Sequence, residues 1–163
     1  MLKPKMWIFD CDGVLSIPSY ESDTSFRRCV GFPQDVWKEK VLWDNNLYRY
    51  CTAPDVFVDL ISELVSTKKD FYCVTVCENS FEYNNKVKFL IERYGDAFNY
   101  SNVIFVSNKA EKINIMKALQ AQRAYKCSEV VLVEDDYETC INANNDGFTA
   151  LHVSSFLNGR PIL

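Results

Sequence analysis

The chain has 163 residues, of which 48% are hydrophobic, 14% aromatic and 25% charged; this composition excludes a disordered or fibrous protein, and the length suits one domain with its own core. The formal net charge of −4 argues against an extended nucleic-acid-binding surface. No apolar run approaches the ~20 residues that a membrane span requires, so we expect no membrane partner.

Strands and helices alternate along most of the chain. Short apolar or β-branched segments predict strands at 6–9, 71–77, 103–106, 130–133 and 148–153. Apolar periodicity and end signals predict helices at 54–66, from Ser80 as a cap to Gly95, at 109–122, and at 137–146 before Gly147. This alternation predicts an α/β fold with a doubly wound, mainly parallel, five-stranded sheet that binds ligands at the carboxyl ends of its strands.

Residues 16–53 interrupt this alternation directly after the first strand. We predict two short helices there, near residues 24–30 and 33–43. The insert is too short to be a domain, so residues 1–163 are predicted to form one domain in which 16–53 is a small cap or flap over the ligand end. Its arginines and aromatic residues are either substrate contacts or a small core with solvent-facing charges, and the sequence leaves both readings open.

The most informative motif is Asp-Cys-Asp-Gly-Val-Leu, at residues 10–15, directly after the first predicted strand. Two carboxylates two residues apart at a strand end can serve as nucleophile or metal ligand and as proton donor. Asp135 follows the fourth predicted strand, so it can reach the same point and form an oxygen-rich pocket that suits Mg²⁺. Lys109, which opens a helix after the third strand, is expected to supply positive charge there.

These segments resemble the haloacid dehalogenase (HAD) superfamily, whose members are mostly Mg²⁺-dependent phosphohydrolases, and the short insert is similar to the small-cap or capless type. The resemblance covers residues 6–153 apart from the insert. It implies that Asp10 is the nucleophile that forms an aspartyl-phosphate and that Asp12 is the general acid and base. It also implies a Mg²⁺ held by the Asp10 carboxylate, the Asp12 backbone carbonyl and Asp135, with Lys109 steadying the nucleophile and the phosphate.

Two of these assignments have rivals in the sequence. Glu134 and Asp136 flank Asp135. The resemblance implies a glycine after the next helix at a set distance from the metal aspartate, and Gly147 fits Asp135. Asp136 is interpreted as an acidic helix cap. Lys112 lies one turn beyond Lys109. We favour Lys109 because it is nearer the strand end and leads the helix.

The sequence departs from the superfamily pattern at two positions. The superfamily ends its second strand in Ser or Thr for phosphate binding, whereas here the position falls on Cys77 or, if the strand ends early, on Thr75. Cys77 is preferred, and because a thiol donates weakly, phosphate contact is expected to depend on the backbone amides of Glu78 and Asn79. A second acid that many members carry four residues after the metal aspartate is replaced by Thr139.

The cysteines and the N-terminus indicate a cytoplasmic protein. The seven cysteines are odd in number and include no CxxC pair, so we expect reduced thiols. The first residues lead directly into a strand-like segment, so we expect no secretory signal. His152, the single histidine, is given no catalytic role.

The sequence therefore predicts a Mg²⁺-dependent phosphomonoester hydrolase acting on a small phosphorylated metabolite, with a nucleotide as one candidate. Two alternatives stay open. One is a phosphatase acting on polynucleotide ends, which the net charge disfavours. The other is a catalytically degenerate, receiver-like phosphate-binding module. The acidic cluster after residue 133 resembles the opening of receiver domains, but it lies late in the chain.

Overall fold

The computed structural model describes residues 3–18, 48, 51–159 and 161. In chain order these residues form β1 (Met6–Phe9), β2 (Ile17–Pro18), β3 (Cys51–Thr52), α1 (Asp55–Ser66), β4 (Asp70–Val76), α2 (Ser80–Tyr94), β5 (Val103–Val106), α3 (Lys109–Gln122), β6 (Val130–Glu134), α4 (Tyr137–Asn145) and β7 (Thr149–His152). The two helices expected near residues 24–30 and 33–43 lie outside the described residues.

The main sheet has five strands in the order β5-β4-β1-β6-β7, and every neighbouring pair is parallel. The central strand is β1, whose Phe9 lies opposite Cys73 of β4 and Val133 of β6. Parallel neighbours require crossover connections, and the helices between the strands supply them. The predicted parallel five-stranded α/β fold is therefore confirmed.

The sheet separates two hydrophobic cores. Along β1, Trp7 and Phe9 pack into one core, and Met6 and Ile8 into the other. The first core takes its helical side chains from α1 and α2, and the second takes them from α3 and α4. All four residues of β1 are buried, as expected of a strand covered on both faces.

The short pair β2 and β3 closes the base of the insert. Ile17 pairs with Thr52 in antiparallel fashion, so the chain leaves and re-enters the sheet domain at one place. Among the described residues, no helix combines the length and the apolar character needed to cross a bilayer.

The ends of two elements near the ligand edge differ slightly from the sequence prediction. The expected cap Ser80 is the first residue of α2, because Asn79 is the cap and its side-chain oxygen accepts from the amides of Phe81 and Glu82. The fourth long strand extends to Glu134, which pairs with His152 of β7.

Candidate active site

The carboxyl ends of β1, β4 and β6 lie side by side at one edge of the sheet. Asp10 is the first residue after β1, Cys77 the first after β4, and Asp135 the first after β6. The amide of Asp10 donates to the carbonyl of Val133 at 2.9 Å, which fixes the start of the loop against β6. The segments that the sequence singled out thus meet at the same edge.

Three carboxylates converge there. Asp10, Glu134 and Asp135 each offer one oxygen within 4.8 Å of the others, and only Asp135 is exposed. Burial and the charge of Asp10 raise the pKa of Glu134 to about 9 and hold the pKa of Asp135 above its ordinary value. Carboxylates this close need protons or a cation. An all-oxygen donor set suits Mg²⁺ or another hard cation better than Zn²⁺.

The absence of a side chain at Gly13 leaves space for the carboxylate of Asp135. The φ of Gly13 is +78°, and a Cβ atom there would lie 2.2 Å from Oδ2 of Asp135. A side chain at this position would therefore both strain the backbone and displace the Asp135 carboxylate.

Lys112 of α3 places a buried positive charge against the cluster. Its Nζ lies 3.0 Å from Oδ1 of Asp10 and 2.6 Å from Oε2 of Glu134, and its side chain is 2% exposed. Burial disfavours the charged ammonium, but the two carboxylates outweigh that effect and hold the pKa of Lys112 above its ordinary value. The lysine is therefore a fixed cation beside Asp10.

Lys109 does not lie beside Asp10, where the sequence analysis expected it. Its Nζ pairs with Oδ1 of Asp136 at 2.6 Å, and its side chain is 63% exposed. Lys109 is the first residue of α3 and so stands at the rim of the fold, whereas Lys112, one turn further on, lies against the sheet. The place beside Asp10 that the sequence analysis gave to Lys109 is taken by Lys112.

Asp136 caps α4, as the sequence analysis expected. One of its carboxylate oxygens accepts from the amide of Thr139 at 2.9 Å and from the Thr139 hydroxyl at 2.5 Å. The hydrogen bonds from Lys109 and Thr139 lower the pKa of Asp136 to about 2. Of the three consecutive acids, Glu134 and Asp135 therefore belong to the cluster, and Asp136 belongs to the helix end.

Asp12 contacts a second group of residues. Its Oδ1 accepts from the hydroxyl of Tyr48 at 2.9 Å, and its Oδ2 lies 2.7 Å from Nζ of Lys86. Burial raises the pKa of Asp12, and the charge of Lys86 opposes that rise. The Asp12 side chain keeps 34% of its surface exposed at the ligand edge, whereas that of Lys86 is fully buried.

The sequence analysis missed Lys86. The same Nζ also contacts Oε1 of Glu82 at 3.0 Å, the hydroxyl of Thr75 at 2.9 Å and the carbonyl of Val76 at 2.5 Å. A signal was present, because Lys86 lies four residues before Leu90 and so shares a helix face with a buried leucine.

The expected phosphate segment has some of its donors in use. Cys77 is buried, which raises the pKa of its thiol to about 12, and its amide donates to the carbonyl of Val106. The amide of Glu78 donates to Oε2 of Glu82 at 2.7 Å. A phosphate that used this amide would have to displace the Glu82 carboxylate. The side chain of Asn79 caps α2.

His152 supports the main chain of the cluster. Its Nε2 lies 2.9 Å from the carbonyl oxygen of Asp135, and its Nδ1 lies 2.7 Å from Oγ of Ser154. A carbonyl only accepts, so Nε2 carries the proton. The histidine touches the backbone of Asp135 rather than its carboxylate, which leaves it outside the proposed chemistry.

Comparison with known proteins rests on structure alone. No family model matches the sequence, and no curated protein matches it. A HAD family enzyme from Bacteroides thetaiotaomicron, in complex with magnesium and inorganic phosphate, is 17% identical; the match covers 91% of this chain and 93% of that one, with a TM-score of 0.54.

Two further solved structures agree. A HAD hydrolase of family IA, variant 3, from Entamoeba histolytica has a TM-score of 0.60 at 17% identity, covering 94% of this chain and 84% of its own. A HAD family hydrolase from Deinococcus radiodurans, with bound phosphate and sodium, has a TM-score of 0.61 at 12% identity, covering 93% and 81%. The chain described here therefore has the fold of the HAD family enzymes.

Proposed function

We propose that this protein is a Mg²⁺-dependent phosphomonoester hydrolase that forms an aspartyl-phosphate on Asp10 and acts on a small phosphorylated metabolite. The observation that carries the proposal is the setting of Asp10, which lies against the buried ammonium of Lys112 and within 4.8 Å of two further carboxylates. The magnesium and phosphate bound by the similar Bacteroides enzyme support the same chemistry.

The residues that would hold the metal are Asp10, Asp135 and the backbone carbonyl of Asp12, and Glu134 joins them as a candidate. The raised pKa values of Glu134 and Asp135 support a cation here, because a cation would relieve the repulsion among the carboxylates. Mg²⁺ would neutralise phosphate oxygens and so permit an anionic nucleophile to approach them.

The chain's own groups then have separate tasks. A carboxylate oxygen of Asp10 attacks phosphorus while the bond from phosphorus to the ester oxygen breaks. Asp12 gives its proton to the departing oxygen, and in the second step it takes a proton from the water that hydrolyses the aspartyl-phosphate. Lys112, rather than Lys109, stabilises the negative charge that develops beside Asp10.

Phosphate binding is proposed for the segment after β4. The amide of Asn79 and the thiol of Cys77 are the proposed donors in that segment, and the amide of Glu78 would join them once the Glu82 carboxylate moves aside. Thr75 is the weaker candidate, because it is buried and its hydroxyl donates to the carbonyl of Val76.

The domain organisation, the cellular compartment and the substrate class are proposed on three further observations. Residues 1–163 are proposed to be one domain, with 16–53 as a flap, and the contact of Tyr48 with Asp12 supports an insert that lies over the ligand edge. The six described cysteines are free, which supports a reducing compartment such as the cytoplasm. The net charge of −4 favours a small-molecule substrate over nucleic-acid ends.

A panel of phosphate esters assayed with and without Mg²⁺ tests the proposal. We expect hydrolysis of an aryl phosphate that EDTA abolishes, and in Asp10→Asn a loss of kcat on the order of 10³-fold or more. Asp59→Asn, an exposed aspartate of α1, is the matched control and should keep its activity. Turnover that persists in Asp10→Asn would exclude Asp10 as the nucleophile. Stable phosphorylation without turnover would favour the phosphate-binding module instead.

A further inference from the structure

Lys86 joins three separate segments of the ligand edge. Its ammonium lies within 3.0 Å of oxygens from Asp12 in the loop after β1, from Thr75 and Val76 at the end of β4, and from Glu82 in the first turn of α2. The side chain of Lys86 is 0% exposed, so bulk water does not reach its ammonium.

The two carboxylates around Lys86 are in different situations. Glu82 is buried, and its second oxygen accepts from the amide of Glu78, so both of its oxygens are used inside the fold. Asp12 retains exposed surface at the ligand edge. Lys86 therefore connects a buried carboxylate to one that has surface at the ligand edge.

Burial of an ammonium is expensive, and an apolar side chain of similar volume would often stabilise the fold equally well. The neighbouring residues Val87, Phe89 and Leu90 show that this part of α2 packs against the core. A charge at this position therefore calls for an explanation other than packing, and the 2.7 Å contact with Asp12 offers one.

We infer that Lys86 is a positioning residue that fixes the carboxyl group of Asp12 for proton transfer, a role that rests on the proposed function above. Tyr48 binds the other oxygen of Asp12, so the carboxyl group is held at both oxygens and each retains a lone pair for the proton. In the first step that proton passes to the departing ester oxygen, which keeps the electron pair of the broken bond, while Lys86 keeps its own protons.

The leaving group distinguishes positioning from a merely structural role. An alkoxide needs a proton as it departs, so misplacement of Asp12 should slow the hydrolysis of an alkyl phosphate strongly. The dinitrophenolate anion is stable without a proton, so kcat/KM for 2,4-dinitrophenyl phosphate, which reports only the formation of the aspartyl-phosphate, should be affected little. The second step needs Asp12 whichever ester is used, so kcat alone does not separate the two roles. Damage to the fold or to the nucleophile would slow both esters equally.

The experiment measures kcat and KM for both esters in Lys86→Met, with Lys88→Met, an exposed lysine of the same helix, as the matched control. We expect Lys86→Met to reduce kcat/KM for the alkyl ester by about 100-fold and kcat/KM for the dinitrophenyl ester by less than about threefold. Lys88→Met should leave both unchanged. Equal losses of kcat/KM for the two esters, or no loss for either, would overturn the positioning role.

Two further variants keep the test decisive. If Lys86→Met does not fold, Lys86→Arg retains the charge but shifts its position, and its loss should again be confined to the alkyl ester; equal losses would overturn the role. In an Asp12→Asn background, Lys86→Met should change the rate for the alkyl ester by less than about twofold, because the carboxyl group it positions is gone. A wild type that hydrolyses neither ester would overturn the proposed function, and the role of Lys86 with it.

Discussion

Two buried lysines, on opposite faces of the sheet, each bind one aspartate of the motif after β1 and one glutamate. Lys112 of α3 approaches from the face that carries the second core and binds Asp10 and Glu134. Lys86 of α2 approaches from the other face and forms the corresponding pairs with Asp12 and Glu82. The two groups are alike in composition, yet they differ in the balance of positive and negative charge.

The Lys112 group has one ammonium for three carboxylates, because Asp135 joins it from the exposed side. Burial and the charge of Asp10 together raise the pKa of Glu134 to about 9. The Lys86 group has no third carboxylate; its remaining contacts are the neutral oxygens of Thr75 and Val76. The Lys86 side chain itself is closed to solvent. The first group is therefore the proposed metal site, and the second is proposed to hold the Asp12 side chain in place.

Among the lysine variants, the largest effect is expected from removing the lysine beside Asp10. Lys112→Met should reduce kcat for an aryl phosphate by about 10²- to 10³-fold, because a fixed charge at the reacting oxygens is lost. It should also lower the free energy of unfolding by about 3 kcal/mol, because buried carboxylates lose their partner. Steady-state kinetics and urea denaturation measure the two effects.

Lys109→Met is the matched control for that variant. Its ion pair with Asp136 lies at the surface, so removing it should change the free energy of unfolding by less than about 1 kcal/mol and should leave kcat unchanged. The opposite ranking, with Lys109→Met the inactive variant, would return the role to the lysine that the sequence analysis favoured.

The next effect is a pH dependence that belongs to the Lys112 group. In the metal-free fold burial and the charge of Asp10 raise the pKa of Glu134 from its ordinary 4.5 to about 9, and the charge of Lys112 opposes that rise. The folded state therefore binds the extra proton between these values, and the free energy of unfolding should fall as pH rises through this window. Mg²⁺ must displace that proton, so its affinity should rise by up to about tenfold per pH unit.

Calorimetric titration of Mg²⁺ at several pH values, in buffers of different ionisation enthalpy, counts the protons released. Glu134→Gln should flatten the dependence. A wild-type affinity that does not change between pH 6.5 and pH 8.5 (roughly the steep part of the window) would mean that Glu134 is ionised before the metal arrives.

A smaller effect is expected from Gly13→Ala. The positive φ alone should lower the free energy of unfolding by about 1–2 kcal/mol, and the collision with Asp135 should in addition weaken Mg²⁺ binding by about tenfold or more. Gly147→Ala has a similar φ of +85° but meets only Cβ of Cys127 at 3.7 Å. Gly147→Ala should therefore lose similar stability but keep its Mg²⁺ affinity. Equal Mg²⁺ affinities in the two variants would show that Gly13 does not influence the metal site.

Much of the fold could be predicted because its signals are local. The strand at Val103–Val106 and the helix at Lys109–Gln122 have the limits that the sequence indicated. The convergence of Asp10 and Asp135 also followed, because parallel strands place their carboxyl ends at one edge.

The lysines could not be assigned in the same way. Lys109 and Lys112 lie about one turn apart on the same side of α3, and only the packing of that helix on the sheet decides which is buried. Lys86 is a charged residue in an amphipathic helix, where the usual expectation is exposure to solvent. Its burial depends on acceptors from Asp12 and Thr75, which are distant in sequence.

Mg²⁺ titration by calorimetry into the wild type, Asp135→Ala and Asp136→Ala tests the carboxylate cluster most directly. We expect the wild type to bind one ion and Asp135→Ala to lose at least about 100-fold in affinity, since a ligand is removed. Asp136→Ala should keep its affinity within about threefold and lose only about 1 kcal/mol of stability, the usual effect of losing a helix cap. Loss of binding in Asp136→Ala with retention in Asp135→Ala would contradict the metal site described here.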